Sequence, residues 1–295
     1  MVKSAGTVKN LSRLPAWLKS MKRNETHDTK RLLRAHGLST VCEEARCPNM
    51  SECFSRPTAA FMILGSKCTR NCGFCSVRSS IPDAVSPDEP EMVAKAAREM
   101  GLKYIVITSV TRDDLPDGGA EQFARTISAI RKHIPGAKVE VLTPDFKGHP
   151  GNLKTVLDAQ PDVFNHNLET VARLYPLVRP EADYELSLCI LRYAKYYSPG
   201  ILVKSGLMIG LGEKIDEVVA VLEDLKGAGC DIVTIGQYLR PSKRNLPVID
   251  YVRPEIFDML RNTALSMGFK YVASGPLVRS SMNAEEMYNS KTGLL

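Results

Sequence analysis

Residues 65–75 read GSKCTRNCGFC and place Cys68, Cys72 and Cys75 at a C-x3-C-x2-C spacing. Three thiols on one short loop suit neither a disulfide, which joins two, nor a structural zinc, which takes four ligands. On a four-iron cluster, three cysteines leave one iron without a protein ligand, and that open iron is a binding site. The competing reading is a zinc knuckle completed by a distant His or Cys. A second set stands just upstream, where VCEEARCPNMSECF (41–54) carries Cys42, Cys47 and Cys53 at C-x4-C-x5-C. Six thiols within 34 residues suit one cluster and one zinc, or two clusters.

Elements must hold these loops, and the chain alternates strand and helix signals. Apolar, β-branched runs occur at AAFMIL (59–64), YIVIT (104–108), KVEVL (138–142), DVFN (162–165), ILVKSGLMI (201–209) and DIVTI (231–235). Between them lie the helical stretches PEMVAKAAREMG, ended by Gly101, then EQFARTISAIRKH, GNLKTVLDAQ, a segment from Asp183 to Tyr197, and IDEVVAVLEDLKGAG. Strict alternation predicts parallel strands joined by right-handed crossovers. Six such units predict an α/β fold, an open (β/α)6 partial TIM barrel. Chemistry then belongs at the C-terminal ends of the strands, where Cys68, Cys72 and Cys75 follow the first one.

A C-x3-C-x2-C loop after a first strand resembles the radical S-adenosylmethionine (SAM) superfamily, in which the amino and carboxylate groups of SAM chelate the open iron. Phe74 resembles the aromatic that packs near the adenine there. TSVTRDD (108–114) ends the second strand, and Thr108 and Ser109 match positions that meet the methionine amino group. NHNLET (165–170) presents Asn165, Asn167 and Glu169 to ribose hydroxyls or the methionyl end, while His166 reads as a structural histidine. GLMIGLGE (206–213) resembles the superfamily's G-x-I-x-G-x-x-E, giving Gly206, Met208, Gly210 and Glu213, with glycines that let backbone approach the adenine. No phosphate-binding G-x-x-x-x-G-K-[ST] or GxGxxG stretch competes.

Further motifs narrow the resemblance. CEEARCPN, ECF, FMILG, CTRNCGFC, RDDLPDGGA, KSGLMIGLGE, GQYLRPS and VASGPLVRSS together resemble the lipoyl synthase family from about residue 12 to 286. The resemblance implies that Cys42, Cys47 and Cys53 carry an auxiliary [4Fe-4S] cluster whose fourth ligand is the first serine of an R-S-S motif, here Ser280 between Arg279 and Ser281. It also implies the activity: SAM is cleaved to a 5′-deoxyadenosyl radical, hydrogen is removed from carbons 6 and 8 of a protein-bound octanoyl chain, and the auxiliary cluster donates the sulfur. Such C–H bonds offer no acidity to an ordinary base, so the cofactor carries the hard chemistry. An oxygen ligand on iron is a poor long-term substitute for thiolate and suits a cluster meant to be dismantled. Implied partners are octanoylated lipoyl carrier domains (glycine cleavage H protein, 2-oxoacid dehydrogenase E2), an electron donor such as ferredoxin or flavodoxin, and a cluster-repair carrier. The enzyme is expected to act as a monomer without nucleic acid or membrane.

Composition bounds these expectations. The chain has 295 residues, 44% hydrophobic and 24% charged, with eight cysteines. No run approaches a membrane span and the start lacks a signal peptide's apolar core, which predicts a cytoplasmic protein whose cysteines serve metal or catalysis. Net charge is +6 overall, yet residues 1–40 alone hold Lys3, Lys9, Arg13, Lys19, Lys22, Arg23, Lys30, Arg31 and Arg34 against Glu25 and Asp28. This basic arm meets solvent, an acidic surface such as a carrier, or nucleic acid, the last without the interleaved aromatics of a stacking platform. Expected boundaries are an N-terminal extension (1–57) with the auxiliary cysteines, the barrel (58–252) and a C-terminal extension (253–295) with the R-S-S motif. Two departures from the family pattern stand out: Met282 and Asn283 follow R-S-S where Tyr and then His or Arg are usual, and RPTAAFM replaces a glycine-containing run. Cys189 and Cys230 match no ligand spacing. Two other functions remain open at this stage: another radical SAM sulfur-insertion enzyme, or a zinc-binding nucleic-acid module.

Overall fold

Strands covered on both faces need nearly continuous apolar side chains, and YIVIT and DIVTI supply them. The computed structural model describes residues 14–18, 27–54 and 60–292. Lys3, Lys9, Arg13, Lys19, Lys22 and Arg23 of the basic arm lie outside these, as does most of the RPTAA run.

The chain runs through α1 (His27–Ala35), β1 (Ser39–Thr40) and two single-turn helices, α2 (Val41–Glu44) and α3 (Met50–Cys53), into β2 (Ala60–Ile63). A small ribbon follows, β3 (Lys67–Cys68) paired with β4 (Arg78–Ser79). Alternation then sets in: α4 (Glu89–Glu99), β5 (Tyr104–Ser109), α5 (Ala120–His133), β6 (Lys138–Leu142), α6 (Pro150–Asp158) and β7 (Val163–Asn165). After α7 (Tyr175–Val178) and α8 (Tyr184–Tyr197) come β8 (Leu202–Ile209), α9 (Ile215–Gly227), β9 (Ile232–Gln237), α10 (Pro254–Ser266), β10 (Tyr271–Gly275) and α11 (Ala284–Thr292). Local signals set the helix ends: Asp183 caps α8 by accepting from the Leu186 N–H at 2.7 Å, and Gly101, at φ +67°, follows α4.

All six predicted strands form, in the order β2-β5-β6-β7-β8-β9, every neighbouring pair parallel. This is the expected partial barrel, extended at each edge. β1 pairs antiparallel with β2, and β10 adds a seventh parallel strand beside β9. β10 escaped the sequence reading because four of its five residues are only half-buried, so YVASG never becomes an apolar run. Helices α5 and α10 bury Phe123, Ile127, Ile130, Phe257 and Leu260 in the core. Among the described residues no helix is long and apolar enough to cross a membrane.

The barrel interior is partly polar. Glu140 of β6 and Lys204 of β8 are each 1% exposed and pair at 2.8 Å.

Candidate active site

The first cysteine loop leaves the C-terminal end of β2. Cys68 ends β3, and its sulfur accepts from the backbone N–H of Arg70 at 3.4 Å and of Thr111 at 3.3 Å. Arg70, between the first two cysteines, is clamped: Nε donates to Asp113 at 2.7 Å and Nη2 to Asp145 at 2.7 Å. The N–H of Gly73 bonds the Val178 carbonyl at 2.9 Å, and Asn245 donates to the Cys75 carbonyl at 2.7 Å. Loops after β2, β5, β6, β7 and β9 thus converge to hold one turn of chain. Burial pushes the Cys72 thiol up to about 11 and the Cys75 thiol to about 12, so binding metal there means displacing protons.

The other predicted residues ring this loop to different degrees. Phe74 is half-buried against the core. Thr108 spends its hydroxyl on the Leu142 carbonyl at 3.1 Å, whereas the Ser109 hydroxyl is buried without a partner. Asn167 donates to Glu169 at 3.0 Å; Glu169 has a left-handed backbone, φ +69°, and desolvation raises its carboxyl above the usual range. At Gly206 an added Cβ would meet Thr234 Oγ1 at 2.5 Å, and at Gly210 it would meet Gln237 Nε2 at 2.2 Å, so both must be glycine. Met208 is partly exposed between them. Glu213 turns back on its own loop, accepting from the N–H groups of Gly210 and Leu211 at 2.8 and 2.9 Å. It shapes the glycine turn. His166 donates from Nδ1 to the Thr143 carbonyl at 3.0 Å, and burial lowers its pKa to about 4, keeping it neutral.

The second set lies at the opposite end of the strands. Cys42 sits on α2, Cys53 on α3 and Cys47 between them. They line a cavity of about 410 Å³ with Tyr104, Arg279 and Ser281, beside the first residues of β2 and β5. Burial pushes the Cys42 thiol up to about 12. The chain after β10 runs to this cavity through the barrel: the Val278 carbonyl lies 2.3 Å from where a Gly236 Cβ would stand, and residues 281–286 form the wall. Asn49 latches the two chain ends by donating to the Leu277 carbonyl at 2.6 Å. Ser280, the expected ligand, is turned inward; it accepts from Asn165 Nδ2 at 2.8 Å and donates to Asn167 Oδ1 at 3.2 Å. Its neighbour Ser281 is the serine in the cavity wall. Met282, one of the departures, meets Asn49 through its sulfur at 3.2 Å. Cys230 is buried and Cys189 exposed.

Three thiols per set are the donor chemistry that an iron–sulfur cluster takes. Among the described residues no three His, Cys, Asp or Glu converge as ligands of one ion must, whereas each cysteine of an iron–sulfur cube binds a different iron. Four buried polar atoms without partners, Ser109 Oγ, Thr143 Oγ1, Asn165 Oδ1 and His166 Nε2, stand at the C-terminal ends of β5, β6 and β7. A core closed on itself satisfies such atoms; a mouth that takes a polar ligand, as SAM is, leaves them for it. Sequence reading missed Asn49, Arg70, Tyr104, Glu140 and Lys204. For Glu140 and Lys204 a signal existed, since a charge in mid-strand of an apolar run is costly unless paired.

A parallel partial barrel with a tricysteine loop after its first strand defines a radical SAM protein. The Radical SAM superfamily model matches residues 62–236. Solved structures agree on the fold: methylornithine synthase (PylB) superposes with TM-score 0.52 at 16% identity, covering 84% of this chain and 82% of that one. HydG, a maturase of the [FeFe]-hydrogenase, superposes with TM-score 0.56 at 17% identity over 76% of this chain and 58% of that one. Sequence relatives are more specific. Lipoyl synthase of Rubrobacter xylanophilus is 55% identical over 274 residues, 92% of this chain and 85% of its own length. That of Pyrobaculum arsenaticum is 56% identical over 290 residues, 96% of this chain and 98% of its own. The chain belongs to the lipoyl synthase family.

Proposed function

We propose that this enzyme inserts two sulfur atoms, at carbons 6 and 8, into an octanoyl chain attached to a lysine of a lipoyl carrier domain. The observation that carries this reading is the placement of two tricysteine sets at opposite ends of one barrel, with the C-terminal strap running between them. Cys68, Cys72 and Cys75 would hold one [4Fe-4S] cluster and leave its open iron to SAM. Cys42, Cys47, Cys53 and Ser280 would hold the auxiliary one. Bound there, SAM and the first cluster supply a hydrogen-abstracting radical, and the auxiliary cluster supplies sulfur.

The chain's own residues bind, orient and exclude water. Arg70, Asp113 and Asp145 keep the first loop rigid. Gly206 and Gly210 let Thr234, Asn167 and Gln237 pack close against the strand end at the mouth, and Asn167 with Glu169 offers polar contacts there. Phe164, Val203 and Ile235, which alternate with the inward Asn165, Lys204 and Thr234, are buried on the helix-covered face and close that side of the sheet to water. The glycine cleavage H protein and the E2 subunits of 2-oxoacid dehydrogenases are the proposed carriers, with a ferredoxin or flavodoxin as electron donor, a separate carrier to restore the auxiliary cluster, and the cytoplasm as the site of action. The segments 1–57, 58–252 and 253–295 serve as auxiliary-cysteine extension, barrel and C-terminal extension with the R-S-S motif.

An anaerobic assay on an octanoylated carrier peptide, read by mass, tests the reading. The expected result is a gain of two sulfur atoms with SAM consumed. SAM cleavage with no sulfur gained on any octanoylated carrier would overturn it.

A further inference from the structure

A buried ion pair with no assigned task lies between the two cysteine sets. Glu140 and Lys204 sit on β6 and β8, across the intervening β7, and each is 1% exposed. Lys204 Nζ donates to both carboxylate oxygens of Glu140, at 2.8 and 3.1 Å, and Tyr104 OH donates to one of them at 2.7 Å. Replacing a buried pair by apolar groups is often neutral or stabilising, so stability alone is a weak reason for this one.

Its neighbours suggest a reason. Asn165, the β7 residue between them, is fully buried and donates from Nδ2 to Glu140 Oε1 at 3.2 Å and to Ser280 Oγ at 2.8 Å. Its carbonyl oxygen has no partner. A carboxylate only accepts, so Glu140 dictates which way the Asn165 amide faces. With the amide reversed, two acceptors would oppose each other and Ser280 would lose its donor. Lys204 in turn holds the Glu140 carboxylate in place through both of its oxygens.

We infer that Glu140 and Lys204 are positioning residues for the auxiliary centre, acting by orienting Asn165 so that its amide holds the Ser280 hydroxyl and with it the C-terminal strap. The inference rests on the assignment of a second cluster to Cys42, Cys47, Cys53 and the R-S-S strap. It ties the sulfur-donating end of the barrel to a pair of strand residues 64 positions apart in sequence.

Single substitutions would strand one buried charge and risk unfolding. Two double variants avoid this. Glu140→Leu with Lys204→Met removes the charges and the acceptor for Asn165; Glu140→Gln with Lys204→Met removes the charges but keeps an acceptor. Each is reconstituted anaerobically, and iron loss to a chelator is followed alongside SAM cleavage and thermal unfolding. In the Leu/Met protein the auxiliary centre should release iron about tenfold faster than in wild type, the factor one ordinary hydrogen bond is worth. The Gln/Met protein should stay near the wild-type rate, and the first cluster should be unaffected in both. Equal iron release from the two variants would overturn the inference, because a role in charge or packing alone predicts no difference between them. Should wild type itself hold only one cluster, the assignment beneath the inference fails instead.

Discussion

The two cysteine sets are built on different kinds of support. The loop of Cys68, Cys72 and Cys75 is held by a buried arginine between two aspartates and by backbone bonds from several barrel loops. The set of Cys42, Cys47 and Cys53 rides on two helices of four residues each, too short to persist alone, and closes only where Asn49 meets the C-terminal strap. One support is the rigid scaffold itself. The other is two distant segments of chain joined at Asn49. A centre that must be reused fits the first design, and a centre consumed as a reagent and rebuilt fits the second.

Substitution of the cysteines breaks the comparison most directly. Cys68→Ala, Cys72→Ala or Cys75→Ala should abolish SAM cleavage, whereas the same change at Cys42, Cys47 or Cys53 should retain cleavage and abolish sulfur insertion. Iron should fall from about eight to about four per chain in either group. Loss of cleavage in both groups, with folding intact, would end the division of labour. The serines come next. Ser280→Cys should assemble both clusters yet lose most insertion, since thiolate suits iron and resists release; Ser280→Ala should leave the auxiliary cluster oxygen-labile; Ser281→Ala should be milder in both respects. Because Ser281 lines the cavity, the reverse ranking would move the ligand to Ser281.

Stability sharpens the contrast. Arg70→Met leaves Asp113 and Asp145 uncompensated in a site where Asp145 is 2% exposed, so denaturant unfolding should show a loss of about 3–5 kcal/mol. Asn49→Ala frees one latch and should cost about 1–3 kcal/mol, with protease susceptibility raised around residues 277–282 and not around the first loop. A loss at Asn49 as large as at Arg70 would mean that the ends are part of the scaffold.

The smallest effect is in pH. Burial raises the thiols of Cys42 and Cys75 to about 12 and that of Cys72 to about 11, above the ordinary 9.0. The unfolded chain therefore releases protons from about pH 9 that the folded metal-free protein still holds, so stability declines as pH rises from about 9 towards 12. The denaturation midpoint of metal-free protein should be lower at about pH 10 than at about pH 8. With clusters bound, the cysteines are already thiolates and this decline should disappear.

Much of the barrel was legible because its signals are local. Runs such as YIVIT and DIVTI, and the helices between them, carry their periodicity within a few residues, and all six expected strands formed. β10 was not legible, since an edge strand with half-exposed residues lacks an apolar run. Among predicted site residues, the glycines at 206 and 210 stand where no side chain fits, while Glu213 serves its own turn and Thr108 the next strand.

The sequence by itself determined the number of cysteine sets, their spacing and their position before and after the first strand, because ligands on one short loop are a matter of consecutive residues. Only the tertiary structure decided that the two sets occupy opposite ends of the barrel, that Asn49 reaches Leu277 across 228 residues, and that Ser280 meets Asn165 across 115. It also decided that Glu140 and Lys204 face each other beneath Asn165. Contacts at such separations leave no periodicity in the chain. They exist because parallel strands bring residues from distant repeats to one level of the barrel, and because the strap after β10 returns through its interior.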